Sequence, residues 1–127
     1  LGEIHAVDYA DCDLADAAAV STLVRSVRPD LIVNPGAYTA VDKAESEPEL
    51  AHAVNAVAPG VLGTEAEKLG AWVVHYSTDY VFDGAKGGPY VEEDDPHPLN
   101  AYGQTKLEGE QAVLQFAHNF QAEGVAP

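Results

Sequence analysis

Tyr102 and Lys106 stand four residues apart in the run Asn100-Ala101-Tyr102-Gly103-Gln104-Thr105-Lys106. On a helix that spacing puts both side chains on one face. A cation beside a phenol favours the phenolate and lowers its pKa from about 10, which yields a proton donor usable near neutral pH. The spacing is common by chance, and taken alone it reads as an ordinary helical surface pair. The preceding residues change the weighing. The apolar run Trp72-Val73-Val74-His75-Tyr76 ends abruptly in Ser77-Thr78-Asp79. It reads as a buried strand that delivers hydroxyl and carboxyl groups at its C-terminal end, the edge at which open α/β sheets bind ligands.

Several elements must position these residues. Residues 4–7 are a short apolar strand candidate ending at Asp8. An acid there is either an ordinary turn carboxylate or an acceptor for a ribose hydroxyl. Residues 17–27 are alanine-rich and helical, with Asp13 as the expected N-cap and Asp16 adding charge to the first turn. Leu23, Val24 and Val27 give that helix an apolar face, and Arg28-Pro29-Asp30 stops it. Leu31-Ile32-Val33 is fully apolar, as for a central parallel strand. The small residues that follow, Asn34-Pro35-Gly36-Ala37-Tyr38-Thr39, suit either a plain turn or the close approach of a flat ligand. Residues 49–69 form a second helical stretch with an apolar stripe. Pro59 inside it predicts a kink or a broken pair of helices, and Gly70 caps its end.

Residues 71–76 are the next strand. His75 within it reads as a core or core-edge histidine rather than a metal ligand, because no partner sits at ligand spacing. Glu92-Glu93-Asp94-Asp95 is either a cation site or, more simply, a solvated loop. The helix holding Tyr102 and Lys106 continues through Leu107, Ala112, Val113, Phe116 and Phe120. Apolar strands alternating with helices predict a parallel sheet with right-handed crossovers, a doubly wound α/β unit.

Composition narrows the classes of function. The chain has 127 residues, 46% of them apolar and 21% charged, which is ordinary for one globular domain. Its 6 basic and 21 acidic residues give a net charge of −15, which repels nucleic acid and anionic membrane surfaces. Cys12 is the single cysteine, so no internal disulfide can form, and a cytoplasmic protein is the simplest expectation. No run in the sequence is long enough to span a membrane. The sequence contains no methionine and opens at Leu1-Gly2-Glu3, which reads as the end of a helix–strand loop and hence as a fragment.

The wording of two segments is more specific than any spacing. Ser77-Thr78-Asp79-Tyr80-Val81-Phe82-Asp83-Gly84, followed by Pro89-Tyr90, Glu93 and Pro98-Leu99-Asn100-Ala101-Tyr102-Gly103-Gln104-Thr105-Lys106, resembles the extended short-chain dehydrogenase/reductase family. Upstream, residues 28–30 and 34–45 resemble the branch of that family that reduces nucleotide sugars. The resemblance covers roughly residues 1–113. It implies a Rossmann-like fold, with residues 1–127 a partial NAD(P)-binding domain carrying the catalytic half-site. It also implies reduction of the 4-keto group of a dTDP-linked deoxysugar, dTDP-4-dehydro-L-rhamnose, by NADPH or NADH, with no metal.

Carried over by position, Tyr102 protonates the developing alkoxide, while Lys106 lowers the tyrosine pKa and holds the nicotinamide ribose. Thr78 bonds the substrate carbonyl, where charge develops, and Asp79 touches substrate beside it. Asp13 and Leu14 match the pair that brackets the adenine, and Ala37, Tyr38 and Thr39 the loop lining the cofactor. Asp8 matches the strand end near the adenosine ribose.

The sequence departs from the family in three ways. The glycine-rich phosphate loop and the C-terminal substrate-binding part are absent, and residues 121–127 are off-pattern. Pro35-Gly36 stands where the family has small alanines. Weak cofactor binding by the isolated chain is therefore expected, as is an apolar sheet edge where a central strand is lacking. One rival is a non-catalytic relative, similar to the regulatory subunit of methionine adenosyltransferase. The intact Thr78, Tyr102 and Lys106 argue for the enzyme. A sugar-nucleotide epimerase or dehydratase is a third reading, which the 42–45 and 80–84 wording disfavours. The oligomeric state stays open, with a homodimer among the options.

Overall fold

The computed structural model describes residues 2–122. The first helix, α1 (Ala17–Val27), begins at Asp16, whose carboxylate accepts from the Ala19 amide at 3.0 Å. The cap is therefore Asp16 and not Asp13. A cap must satisfy an amide of the helix's own first turn, and Asp13 takes the Ala15 amide at 2.9 Å, in a turn that ends before the helix starts. Arg28, at φ 51°, leaves the helix just ahead of Pro29, as a residue preceding proline is pushed to do.

Strand β1 (Leu31–Asn34) pairs in parallel with β2 (Trp72–His75), with Leu31 opposite Trp72 and Asn34 opposite His75. Among the described residues the sheet has these two strands. Residues 4–7 do not form the expected strand. A strand needs a hydrogen-bonded neighbour, and the described residues give this segment none. Ile4 is accordingly exposed.

The crossover contains α2 (Val41–Ala44), α3 (Pro48–His52), a π-helical turn at Ala53–Val57 and α4 (Ala58–Leu69). The break expected at Pro59 appears as that π turn. Pro59 has no amide to give the carbonyl of Asn55 four residues back, and a wider turn lets the helix run on without breaking. Gly70, at φ 66°, ends it. A 3₁₀ turn at Asp79–Val81 and α5 (Ala101–Ala122) complete the order.

Val20 and Val24 of α1 meet Leu62 of α4, Cys12 and Ile32 in one core cluster. Ala44, Ala51 and Tyr102 form a second. Side chains alternate across a strand, so Ile32, Asn34, Val73 and His75 share one sheet face. The other face carries Leu31, Val33, Trp72 and Val74, each near half exposed, with Trp72 at 58%. The expectation of fully buried strands thus fails: the covered face holds a buried Asn34 with Ile32, Val73 and His75 partly buried, and the other face is open. This is an incomplete, Rossmann-like parallel α/β unit. Residues 123–127, part of the off-pattern tail, lie outside the described residues. Among the described residues no helix is long and apolar enough to cross a membrane.

Candidate active site

Three local contacts set α5 against the end of β2. Asn100 Oδ1 accepts from the Gly103 amide at 2.8 Å, as a helix cap does. Glu45, just after α2, accepts from the Ala101 amide at 2.6 Å. Gly103 lies so close to the 3₁₀ turn that a Cβ there would sit 2.3 Å from the Tyr80 carbonyl oxygen. Only glycine lets the helix start approach that backbone.

Tyr102 and Lys106 consequently arrive together at the strand end. Lys106 is 2% exposed, and its Nζ donates to the Tyr76 carbonyl at 2.6 Å. Burial pulls its pKa below the ordinary ammonium range, and Glu110 opposes that shift. Tyr102 is buried against Ala44 and Ala51, with Tyr38 and Val41 packed beside them. Its ring meets Tyr80 edge-on, with centroids 5.3 Å apart. Thr78 Oγ1 accepts from the Tyr80 amide at 3.3 Å and donates to Asp79 Oδ1 at 3.4 Å. The segment 76–80 thereby joins Thr78, Asp79, Tyr102 and Lys106 at one edge of the sheet.

The loop after β1 is tied to the same place. Asn55 is 1% exposed. Its Oδ1 accepts from the Tyr38 amide at 2.8 Å, and its Nδ2 donates to the Tyr38 carbonyl at 3.1 Å and to Thr105 Oγ1 at 3.2 Å. Thr105 neighbours Lys106 on α5, so one amide links the Ala37-Tyr38-Thr39 loop to the helix carrying the catalytic candidates. The Tyr38 hydroxyl donates to Glu47 at 2.6 Å, and that carboxylate pushes the phenol up to about 12. Leu14 belongs to the same neighbourhood, since a Cβ on Gly36 would meet Leu14 Cδ1 at 2.6 Å. The Pro35-Gly36 departure therefore makes room for Leu14. Asp13 stands next to Leu14 and holds its own turn.

Asp8 is not joined to this group. Its carboxylate accepts the Ala10 and Asp11 amides at 2.9 and 3.3 Å, and its described hydrogen bonds stay within residues 8–12. In this structure it is a turn carboxylate. His75 lies at the core edge, as expected, with Nδ1 3.2 Å from Asn34 Nδ2. Burial, then the charge of Lys106, lower its pKa to about 4. The acidic run is tied to its own loop, with Asp94 accepting from the Val91 amide and pairing with Lys86. Among the described residues no group of three His, Cys, Asp or Glu side chains is placed to hold a metal ion.

Sequence reasoning passed over Asn34, Glu45 and Asn55 as connecting residues. Asn55 had a usable signal, a single amide inside the apolar run Ala53-Val54-Asn55-Ala56-Val57. A buried amide requires partners, and such a residue is a candidate for bridging elements.

Comparison with known proteins places this geometry. Residues 2–122 match the family model described as the RmlD substrate binding domain. The chain is similar to the dTDP-4-dehydrorhamnose reductase of Escherichia coli K12, 50% identical over 114 residues, covering 90% of this chain and 38% of that protein. Among solved structures, it is similar to a dTDP-4-dehydrorhamnose reductase from Bacillus anthracis in complex with NADP. The TM-score is 0.84 at 37% identity, over 90% of this chain and 41% of that one. The Clostridium acetobutylicum reductase superposes with a TM-score of 0.83 at 42% identity, over 87% of this chain and 39% of that one. The chain spans about two fifths of the length of these relatives.

Proposed function

Because the chain belongs to the RmlD substrate binding domain family, we propose that it is the catalytic half-site of an NAD(P)H-dependent reductase acting on dTDP-4-dehydro-L-rhamnose and forming dTDP-L-rhamnose. Residues 1–127 are, in this reading, part of an NAD(P)-binding domain. The observation that carries it is the buried Lys106 ammonium, held by the Tyr76 carbonyl just past the end of β2 and one helical turn from Tyr102.

The residues fit the nicotinamide half of a dinucleotide. Lys106 supplies a cation already desolvated at the strand end, the 35–39 loop approaches from β1, and Leu14 packs on that loop. A reduced nicotinamide held by Lys106 and the 35–39 loop would supply the hydride for a substrate carbonyl. Tyr102 then gives its phenolic proton to the alkoxide oxygen as charge develops. Lys106 stabilises the phenolate left behind. Thr78 donates to the same oxygen after turning away from Asp79, an exchange that its long 3.4 Å bond makes easy. Asp79 lies next to it to take a sugar hydroxyl. The net charge of −15 disfavours nucleic acid and anionic membranes as partners and leaves the anionic ligands to local cations such as Lys106, and the cytoplasm is the compartment we assign.

The test uses the protein as its gene encodes it. Consumption of reduced nicotinamide is followed with dTDP-4-dehydro-L-rhamnose. Tyr102→Phe is expected to lower turnover by about 10²- to 10⁴-fold while cofactor binding persists. Full turnover by Tyr102→Phe would overturn the assignment.

A further inference from the structure

We propose that Asn34 and His75 form a positioning pair that couples the 35–39 loop to Lys106, with His75 acting as a neutral imidazole whose proton sits on Nε2. The two residues are opposite one another on the last rung of the β1–β2 ladder. Beyond Asn34 the chain leaves the sheet for the loop. Beyond His75 comes Tyr76, whose amide approaches the Asn34 carbonyl at 3.4 Å and whose carbonyl holds Lys106 Nζ at 2.6 Å.

The hydrogen-bond chemistry fixes the direction of the pair. The Gly36 amide is a donor, 3.2 Å from the Asn34 side chain, so the atom facing it must be Oδ1. The Asn34 amide nitrogen then faces His75 Nδ1 at 3.2 Å and donates to it. Nδ1 can accept only if it carries no proton, so the proton of the neutral ring is on Nε2. Protonation of His75 would set two donors against each other and put a second cation beside Lys106. Burial and Lys106 both oppose protonation, against a contribution from the Asn34 backbone. On α4 the buried carboxylate, Glu65, is bonded to Ser21, Arg25 and Lys68. Nε2 itself is buried and has no hydrogen-bond partner. An unpaired buried N–H there is a cost, which the Asn34–Nδ1 bond has to offset.

This inference rests on the reading of Lys106 as a catalytic residue, but its test does not need turnover. In the purified chain, long-range nitrogen–proton NMR of the imidazoles is expected to show His75 as the Nε2–H tautomer at neutral pH. The Nδ1–H tautomer, donating to the Asn34 carbonyl, overturns the proposal. Amide exchange at Gly36 and the titration of the Lys106 Cε signal are then compared in two variants. His75→Leu is expected to speed Gly36 exchange about five- to tenfold, the loss of about one hydrogen bond, and to shift the Lys106 titration. His75→Asn, which keeps an acceptor near Nδ1, is expected to restore both and guards against a folding defect in His75→Leu. Unchanged Gly36 exchange or an unmoved Lys106 titration in a folded His75→Leu variant overturns the coupling. Failure of the protein as its gene encodes it to turn over dTDP-4-dehydro-L-rhamnose would count against the reductase reading and leave these NMR outcomes untouched.

Discussion

Gly109 lies flat against the carbonyl of Asn55, so close that a Cβ at position 109 would sit 2.0 Å from that oxygen. This is the same carbonyl that Pro59 cannot serve. Helix α5 thus passes the π turn at backbone distance, with Gly63 of α4 giving way to the ring of Phe116 nearby. The approach allows the Asn55 side chain to reach Thr105 and the Tyr38 loop.

Gly109→Ala is expected to destabilise the fold by about 1–3 kcal/mol through overpacking. Helix propensity favours alanine by about 1 kcal/mol, but the colliding atom is backbone and cannot rotate away, so the clash wins. Urea unfolding checks this. Gly88→Ala, at a position with nothing within 4 Å, is the control, and equal stability of the two variants would refute the close-approach argument.

Glu65 joins α1 to α4 through Arg25 and Ser21, with Lys68 beside it, and these bonds lower its pKa to about 2. A depressed carboxylate contributes stability above its unfolded pKa and loses it as pH falls toward the folded value. The chain is therefore expected to weaken between about pH 4.5 and about pH 2. Glu65→Gln is expected to be less stable at neutral pH and flatter across that window, as read by denaturant unfolding at several pH values. An unchanged slope in the variant would remove Glu65 from the acid response.

Tyr38 donates to Glu47, which raises its ionisation to about 12. A group raised on folding contributes below its unfolded pKa of about 10 and loses that contribution as pH rises to the folded value. Ultraviolet titration of the phenolate is expected to show a late component that moves down in Glu47→Gln. A Glu47→Gln titration identical to the parent's would mean that the bond does not persist in solution.

Trp72 is the only tryptophan, and it lies on the open sheet face beside Leu31 and Val74. Its emission is expected to be red-shifted and readily quenched by acrylamide in dilute solution. A blue-shifted emission that reddens on dilution would show instead that another copy covers the face. A patch of this kind on a monomer is a point of association.

The sequence by itself determined the local features. Residue identity sets where helices start and stop, so α1 ended at Arg28-Pro29 and α4 at Gly70 as read, and the i, i+4 spacing put Tyr102 and Lys106 on one helix. The strand runs, the loop after β1 and the Ser77-Thr78-Asp79 strand end were legible for the same reason: turn chemistry and apolar runs act over a few residues. Tertiary structure decided what depends on neighbours distant in sequence. Residues 4–7 carry a strand pattern but find no partner among the described residues, and Leu31-Ile32-Val33 is apolar on both sides although one face alone is covered. The choice of Asp16 over Asp13 as cap depended on which carboxylate the backbone turn left free. The roles of Asn34 and Glu45 were invisible, and that of Asn55 was only hinted at by its apolar surroundings, because each bonds across tens of residues. Spacing along the chain places Lys106 beside Tyr102, but only the closed fold takes Lys106 out of water and hands its ammonium to Tyr76.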